Sequence, residues 1–299
     1  MTATIPVAVP RKGRPLEAVL ERIAAVADVD ALADSIISTL RYEKALTKGT
    51  KTADASPYER LADYSETGDP HAPEYTLLRD DREGFPRRVV FDSLTVALDG
   101  VDLRLIGREE PFRSLRTHEF ALGFDSADLV LEEVVELREA GVGSLSEINA
   151  RINPHDTDVA VVTGLGDTVY HTLLATPEVV GETATLDREF VADYQGPLCI
   201  SPRYERLVEA VLGTRATDGV EFVYPSDAAE EEAAIAEAGL GVYLTVTGST
   251  AREHGLVLGE HLFPSETVLM ENTVEADSEA GAIKTLLTEP AIDTALQVE

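Results

Sequence analysis

What most constrains the fold of this chain is a repeated local order: a strand-length apolar run, a turn rich in glycine or hydroxyl residues, then a helix-forming segment. Ile5 to Val9 reads as a strand, followed by Pro10-Arg11-Lys12-Gly13-Arg14 and a helix with Pro15 at its first position and Leu16, Val19, Leu20 and Ile23 on one face. Leu198-Cys199-Ile200 is another strand, with Ser201 as cap, Pro202 in the first turn of a helix bearing Tyr204, Leu207, Val208 and Val211, and Gly213 as its stop. Glu221 to Tyr224 is a third, after which Asp227 and Glu230 have capping-box spacing ahead of an Ala/Glu-rich helix. Val242 to Val246 is a fourth and leads into Thr247-Gly248-Ser249-Thr250. Strands alternating with helices predict an α/β fold, and no internal repeat or heptad run competes with it.

Between these units, Asp30 to Tyr42 reads as helical, and the polar stretch Lys48 to Ala72 as an insertion or mobile loop. Strands are expected at Val89 to Phe91, Leu94 to Leu98 and Val101 to Ile106, the last ending at Gly107-Arg108. After Glu109-Glu110-Pro111 a helix leads into the strand Phe120 to Phe124 and the polar strand end Asp125-Ser126-Ala127-Asp128. Val159 to Val162 is a strand, Thr163 to Thr168 a Gly-rich turn, and Val169 onward reads as helix. Two apolar segments, Leu256 to Phe263 and Thr267 to Met270, and an acidic helical tail close the chain.

The 299 residues suit about two domains. They carry 55 Asp+Glu against 25 Lys+Arg, a net charge of −30 spread along the whole chain. No basic stripe exists for a nucleic-acid backbone or an anionic membrane, and no apolar run reaches membrane-spanning length. Such self-repulsion is tolerable where salt has shortened the Debye length, so the composition fits a salt-adapted cytoplasmic protein. The single cysteine, Cys199, excludes an internal disulfide and reads as core filler; the six histidines have no metal-ligand spacing. The first residues lack the basic-then-apolar order of a signal peptide.

Two turns concentrate the chemistry. In a chain short of cations, Arg11-Lys12-Gly13-Arg14 puts three at a helix N-terminus, where N–H groups and the dipole favour an anion; a solvated basic turn is the plain alternative. In Thr247-Gly248-Ser249-Thr250 the glycine permits close backbone approach, and hydroxyls with successive N–H groups suit one phosphate; a hydroxyl-rich turn without ligand is the alternative. Thr163 to Thr168 is a weaker pattern of the same kind.

Several of these pieces together resemble the ATP phosphoribosyltransferase family of histidine biosynthesis. The resemblance rests on Val7-Ala8-Val9-Pro10-Arg11-Lys12-Gly13-Arg14-Pro15-Leu16-Glu17, on Gly107-Arg108-Glu109-Glu110-Pro111, and on Ala121-Leu122-Gly123-Phe124-Asp125-Ser126-Ala127-Asp128, similar to that family's Ala-Asp-Leu-Gly-Ile-Thr-Gly-x-Asp segment. It is strongest where Glu230, Ala238, Leu244, Thr247, Gly248 and Thr250 fall at the signature spacing, followed by Glu253-His254-Gly255-Leu256. Lys48 to Pro86 and Ser144 to Ala184 lie outside the similar blocks and look like insertions or divergence. Tyr243 stands where the signature has an acid, Ala251 where it has Leu or Met, and Ala236 and Gly241 replace its Gly and Ile/Val.

The resemblance implies a two-lobed periplasmic-binding-protein-like (type II) α/β fold with the ligand cleft between the lobes and the chain crossing twice. Lobe 1 would take residues 1–133 and 256–299, and lobe 2 residues 134–255. It implies transfer of phosphoribosyl from phosphoribosyl pyrophosphate (PRPP) to ATP, with Mg²⁺ and release of pyrophosphate. Thr247, Gly248, Ser249 and Thr250 would hold the 5-phosphate, with Glu230 a further substrate ligand or only the cap partner of Asp227. Lys12, Arg14 and Arg108 would face the nucleotide or pyrophosphate, and Asp125 and Asp128 would order metal-bound water or ribose hydroxyls. The expected lack of a separate regulatory domain resembles short-form enzymes, which implies a partner subunit or a homo-oligomer. The departures at Tyr243 and Ala251 keep a second reading open: a non-catalytic relative acting as regulatory subunit or small-anion or nucleotide sensor.

Overall fold

The computed structural model describes residues 3–66, 68–78, 88–98, 100–142, 145–181, 185–225, 231–289 and 292–294. The chain opens with strand β1 (Ala3–Pro10), whose last four residues are buried, as suits a strand in the middle of a sheet covered on both faces. Helix α1 (Gly13–Ala27) buries Leu16, Val19, Leu20 and Ile23, the face its spacing predicts; each such side chain removed from water is worth about 1.5–3 kcal/mol. Helix α2 (Asp30–Thr47) adds Ile36, Ile37 and Leu40 to the same core.

The polar stretch expected to be a loop contains a helix, α3 (Pro57–Tyr64). It opens with a complete capping box, Ser56 accepting from the Glu59 N–H while the Glu59 carboxylate accepts from the Ser56 N–H. Its anchor is polar: Arg60 donates to both oxygens of Glu43 on α2, at 2.6 and 2.9 Å, and the Tyr64 hydroxyl adds a third bond at 3.1 Å. Glu43 is 1% exposed. A helix moored by a buried ion pair leaves no apolar periodicity to read.

Strand β2 (Glu74–Leu78) pairs antiparallel with β3 (Arg88–Leu98), a single strand where two were expected, and β3 pairs with β4 (Val101–Arg108). Helix α4 (Pro111–Arg116) and strand β5 (Leu122–Ser126) follow, then helices α5 (Ala127–Val134) and α6 (Leu145–Arg151). Strand β6 (Val159–Gly164) is succeeded by β7 (Val169–Ala175), which corrects the expected helix. Its Val-Tyr-His-Thr-Leu-Leu run is rich in strand formers and lies between two antiparallel partners, which bury six of its seven residues. Helices α7 (Pro177–Val180) and α8 (Arg188–Asp193) lead to strand β8 (Gly196–Cys199). Ser201 caps a short 3₁₀ turn, Pro202–Tyr204, before α9 (Glu205–Leu212) and α10 (Thr214–Thr217). Strand β9 (Val220–Val223), helix α11 (Glu231–Ala238), strand β10 (Leu240–Thr245), helix α12 (Ser249–Glu253), strands β11 (Val257–Ser265) and β12 (Thr267–Asn272) and helix α13 (Ser278–Thr288) complete the chain.

The chain divides into two compact units, each with its own sheet. Met1–Asp125, Asp158–Asp167 and Thr267–Asp293 form the first, around a seven-stranded sheet of order β2-β3-β4-β1-β5-β12-β6 with β1 parallel to β4 and β5. Ser126–Thr157, Thr168–Glu266 and Thr294–Glu299 form the second, around a five-stranded sheet of order β11-β7-β10-β8-β9. The expected boundaries near 133 and 256 shift for a pairing reason. Strand β6 pairs with β12, Val159 opposite Asn272, and so joins the first sheet, whereas β11 pairs with β7, Val257 opposite Ala175, and stays in the second. The chain therefore passes between units after residues 125, 157, 167, 266 and 293, not twice. The stretch 144–184, expected to be insertion or divergence, supplies β6, an edge strand of the first sheet, and β7, an interior strand of the second. Among the described residues no helix is long and apolar enough to cross a membrane.

Candidate functional site

The predicted site residues belong to both units, and each group is described within its own. In the first unit, parallel pairing sets Pro10 opposite Arg108, so the Lys-Gly-Arg turn and Arg108 share the C-terminal end of one strand pair. Lys12 stands at the N-cap of α1 with its Nζ 3.4 Å from Glu109 Oε2, both side chains well exposed. The Arg108 guanidinium lies 3.9 Å from Glu119 and 5.0 Å from the Phe120 ring centroid. Arg11, counted among the cations of the turn but given no role of its own, ties this corner down: its Nε donates to the Gly107 carbonyl at 3.1 Å, its main-chain oxygen accepts from Phe91 N–H, and its guanidinium reaches Asp92 at 3.5 Å. A Cβ on Gly107 would meet the Phe91 carbonyl at 2.6 Å, so only glycine allows this approach.

Arg14 is engaged differently from Lys12. It is ion-paired with the Asp167 carboxylate and donates to the Asp167 carbonyl, while that carboxylate accepts from the Thr267 N–H and hydroxyl at 2.7 Å each. The start of α1, the loop after β6 and the start of β12 are joined through this one acid. Asp167 appeared in the sequence only as part of a Gly-rich turn. Asp125, 4% exposed, accepts from the Phe112 N–H at 3.1 Å and so caps the first turn of α4.

In the second unit, Asp128 is 1% exposed, and its Oδ2 accepts from the Ser265 hydroxyl at 3.1 Å and lies 3.3 Å from His171 Nε2. Thr247, Ser249 and Thr250 are exposed at the end of β10, around a buried Gly248. Gly248 adopts φ +68 and ψ +19 as the N-cap of α12, and an added Cβ would meet Leu258 Cδ2 at 2.1 Å. The first-turn N–H groups of α12 have no intrahelical acceptor and point out of the turn. Arg252, also passed over in the sequence, donates to the Thr247 carbonyl at 2.8 Å and brings a guanidinium to the hydroxyl turn. Its signal was the spacing: a cation two residues beyond Thr250 sits one helical turn above Gly248.

The four departures from the signature share one place. Tyr243 and Ala236 pack on the apolar cluster of Leu174, Cys199, Ile235, Ala251 and Leu256, and a Cβ on Gly241 would meet Ile235 Cγ1 at 2.6 Å. Burial, together with the nearby Glu231 and Glu232 carboxylates, pushes the Tyr243 phenol up to about 12. Burial likewise raises the Cys199 thiol, in keeping with a core role. Glu230 and its proposed partner Asp227 lie outside the described residues.

The chain is thus a two-unit α/β protein with a cationic turn on one sheet and a hydroxyl turn on the other. The family model for the halobacterial ATP phosphoribosyltransferase matches residues 1–298, and the chain belongs to that family. No curated protein matches it. Among solved structures it is similar to the ATP phosphoribosyl transferase (HisG:HisZ) complex from Thermotoga maritima, at 12% identity over 95% of this chain and 94% of that one, with TM-score 0.44. YhfZ from Shigella flexneri matches at 11% identity, 95% and 82% coverage and TM-score 0.44. A putative binding component of an ABC transporter from Wolinella succinogenes, complexed with lysine, matches at 10% identity, 96% and 90% coverage and TM-score 0.42.

Proposed function

We propose that this chain transfers the phosphoribosyl group of PRPP to a ring nitrogen of ATP. The nitrogen lone pair forms the new bond to C1 of the ribose, and the C1–O bond breaks with its electron pair leaving on pyrophosphate. Such a displacement needs no covalent protein nucleophile; it needs a held phosphate, a stabilised leaving group and an aligned nucleophile.

The observation that carries the reading is the Thr247–Thr250 turn in a chain of this family: exposed hydroxyls, a left-handed Gly248 and outward N–H groups beside the Arg252 guanidinium. These groups suit the 5-phosphate of PRPP. For the pyrophosphate and nucleotide we assign Lys12 and Arg108. Their carboxylate partners are solvent-exposed and at 3.4 and 3.9 Å, and exposed pairs are worth only about 0–1 kcal/mol, so an incoming polyphosphate exchanges readily with them. Arg14, clamped by Asp167, acts instead by positioning the first turn of α1.

Asp125 and Asp128 do not fit a magnesium site. Their carboxylates are withdrawn from solvent and taken up by Phe112 N–H and by Ser265 and His171, and among the described residues no group of three His, Cys, Asp or Glu side chains could hold a metal.

The reading is tested by following pyrophosphate release from PRPP in molar KCl with Mg²⁺, with and without ATP, on the chain alone and with a candidate partner subunit. ATP-dependent release supports it. The reading fails if folded protein that binds PRPP saturably releases none under either condition, and the non-catalytic sensor favoured by Tyr243 then takes its place.

A further inference from the structure

The first unit holds a cavity of ≈ 590 Å³ that the proposed transfer does not use. That volume is in the range of small-ligand sites, about 300–1,000 Å³. Helix α3 forms one wall with Tyr58 and Leu61, and strands β2 and β3 form the other, with the buried Tyr75 between them. Onto this apolar lining converge three carboxylates, Glu66, Glu74 and Asp92, and among the described residues no lysine or arginine lines the cavity.

In a chain of net charge −30, scattered surface acids mean little; these are different because they line one cavity and one of them, Glu74, is held in place. The Ser93 hydroxyl, on a residue 7% exposed, donates to Glu74 at 2.6 Å. Asp92 has Arg11 only at 3.5 Å, and that guanidinium is already bonded to Gly107. The Ser65 hydroxyl on the same lining is buried and makes no hydrogen bond among the described residues, a cost that a polar ligand would relieve. The α3 wall is itself fixed by the Glu43–Arg60 pair, so the cavity is formed before a ligand arrives.

We propose that this cavity binds a small organic cation, an ammonium or guanidinium carried on a ring or a short apolar body. The charge lies at Glu74 and Asp92, and the body packs against Leu61 and the faces of Tyr58 and Tyr75, where cation–π attraction adds to the carboxylate field. Phosphate-bearing molecules are repelled by the same three acids, so this site is separate in chemistry from the PRPP turn.

The test is a calorimetric titration of benzylamine into the full chain, at the lowest KCl concentration that keeps it folded, with benzoate and benzyl alcohol as same-shape controls. Benzylamine is expected to saturate at one site and benzoate to show no binding. Glu74→Gln with Asp92→Asn should weaken benzylamine about tenfold or more, the worth of one charge-assisted bond. The charge-matched surface pair Glu178→Gln with Glu221→Gln should leave it unchanged. Ala62→Leu, which fills the cavity rim and leaves every charge in place, should abolish it. Equal binding of benzoate, indifference to both cavity variants, or no saturation by the wild-type protein would overturn the proposal. PRPP titrated into the same samples separates this failure from failure of the transferase reading.

Discussion

Tyr243 shows how a residue that departs from its family can still be dictated by its surroundings. Its ring packs with Ala236 on the apolar cluster that contains Ala251, and Ile235 of that cluster fills the space a Cβ on Gly241 would need, so a large residue and three small ones belong to one packing arrangement. In the sequence these were four separate losses, since spacing along a chain does not say which positions meet. Tyr243→Asp, which restores the signature acid, should therefore lower stability by about 3 kcal/mol, by opening a cavity and placing a charge beside Glu231 and Glu232. Denaturant unfolding in molar KCl checks this. The phenol gives a second, independent readout. Because folding raises it from the ordinary 10.0 to about 12, its contribution to stability is full below pH 10 and is lost as pH rises toward 12. Alkaline titration of phenolate absorbance should show no difference between wild type and Tyr243→Phe around pH 10, and a difference only near pH 12.

At the scale of elements, those whose buried face had a period were legible, and those held by pairing or polar contacts were not. Helix α1 and strand β10 follow their apolar spacing within a few residues. Strand β7 was misread because its neighbours β10 and β11, distant in sequence, decide its conformation, and α3 because its mooring is the buried Glu43–Arg60 pair. Glu43→Gln leaves the Arg60 charge half-paired in a largely buried place and should cost about 3 kcal/mol, with proteolytic nicking near α3 as its local sign. The hydroxyl turn was legible as a strand-to-helix turn, with a ligand-free turn as the alternative to a phosphate cradle, but Arg252 became visible only through its bond to Thr247. Gly248→Ala combines a left-handed backbone with a clash against Leu258 and should destabilise by about 2–4 kcal/mol, measured as a lower unfolding midpoint.

For the whole molecule, composition spoke to conditions and topology to architecture. A charge of −30 on 299 residues opposes the folded state at low salt, and between about 0.1 and 1 M KCl the Debye length falls from roughly 10 to 3 Å. The thermal midpoint should climb over that range, and a flat profile would remove salt adaptation from the account. The two-unit α/β plan was legible from alternating strands and helices, but its boundaries were not, because β6 and β11 are assigned by partners more than a hundred and about eighty residues away. The central claim is that the Thr247–Thr250 turn holds the phosphate of PRPP. It is tested most directly by calorimetric titration of PRPP, with Mg²⁺ and molar KCl, into wild-type chain and a Thr247→Ala, Thr250→Ala variant. Saturable binding to the wild type that is lost in a folded variant is the expected result; no binding to folded wild type, or equal binding to both, would contradict it.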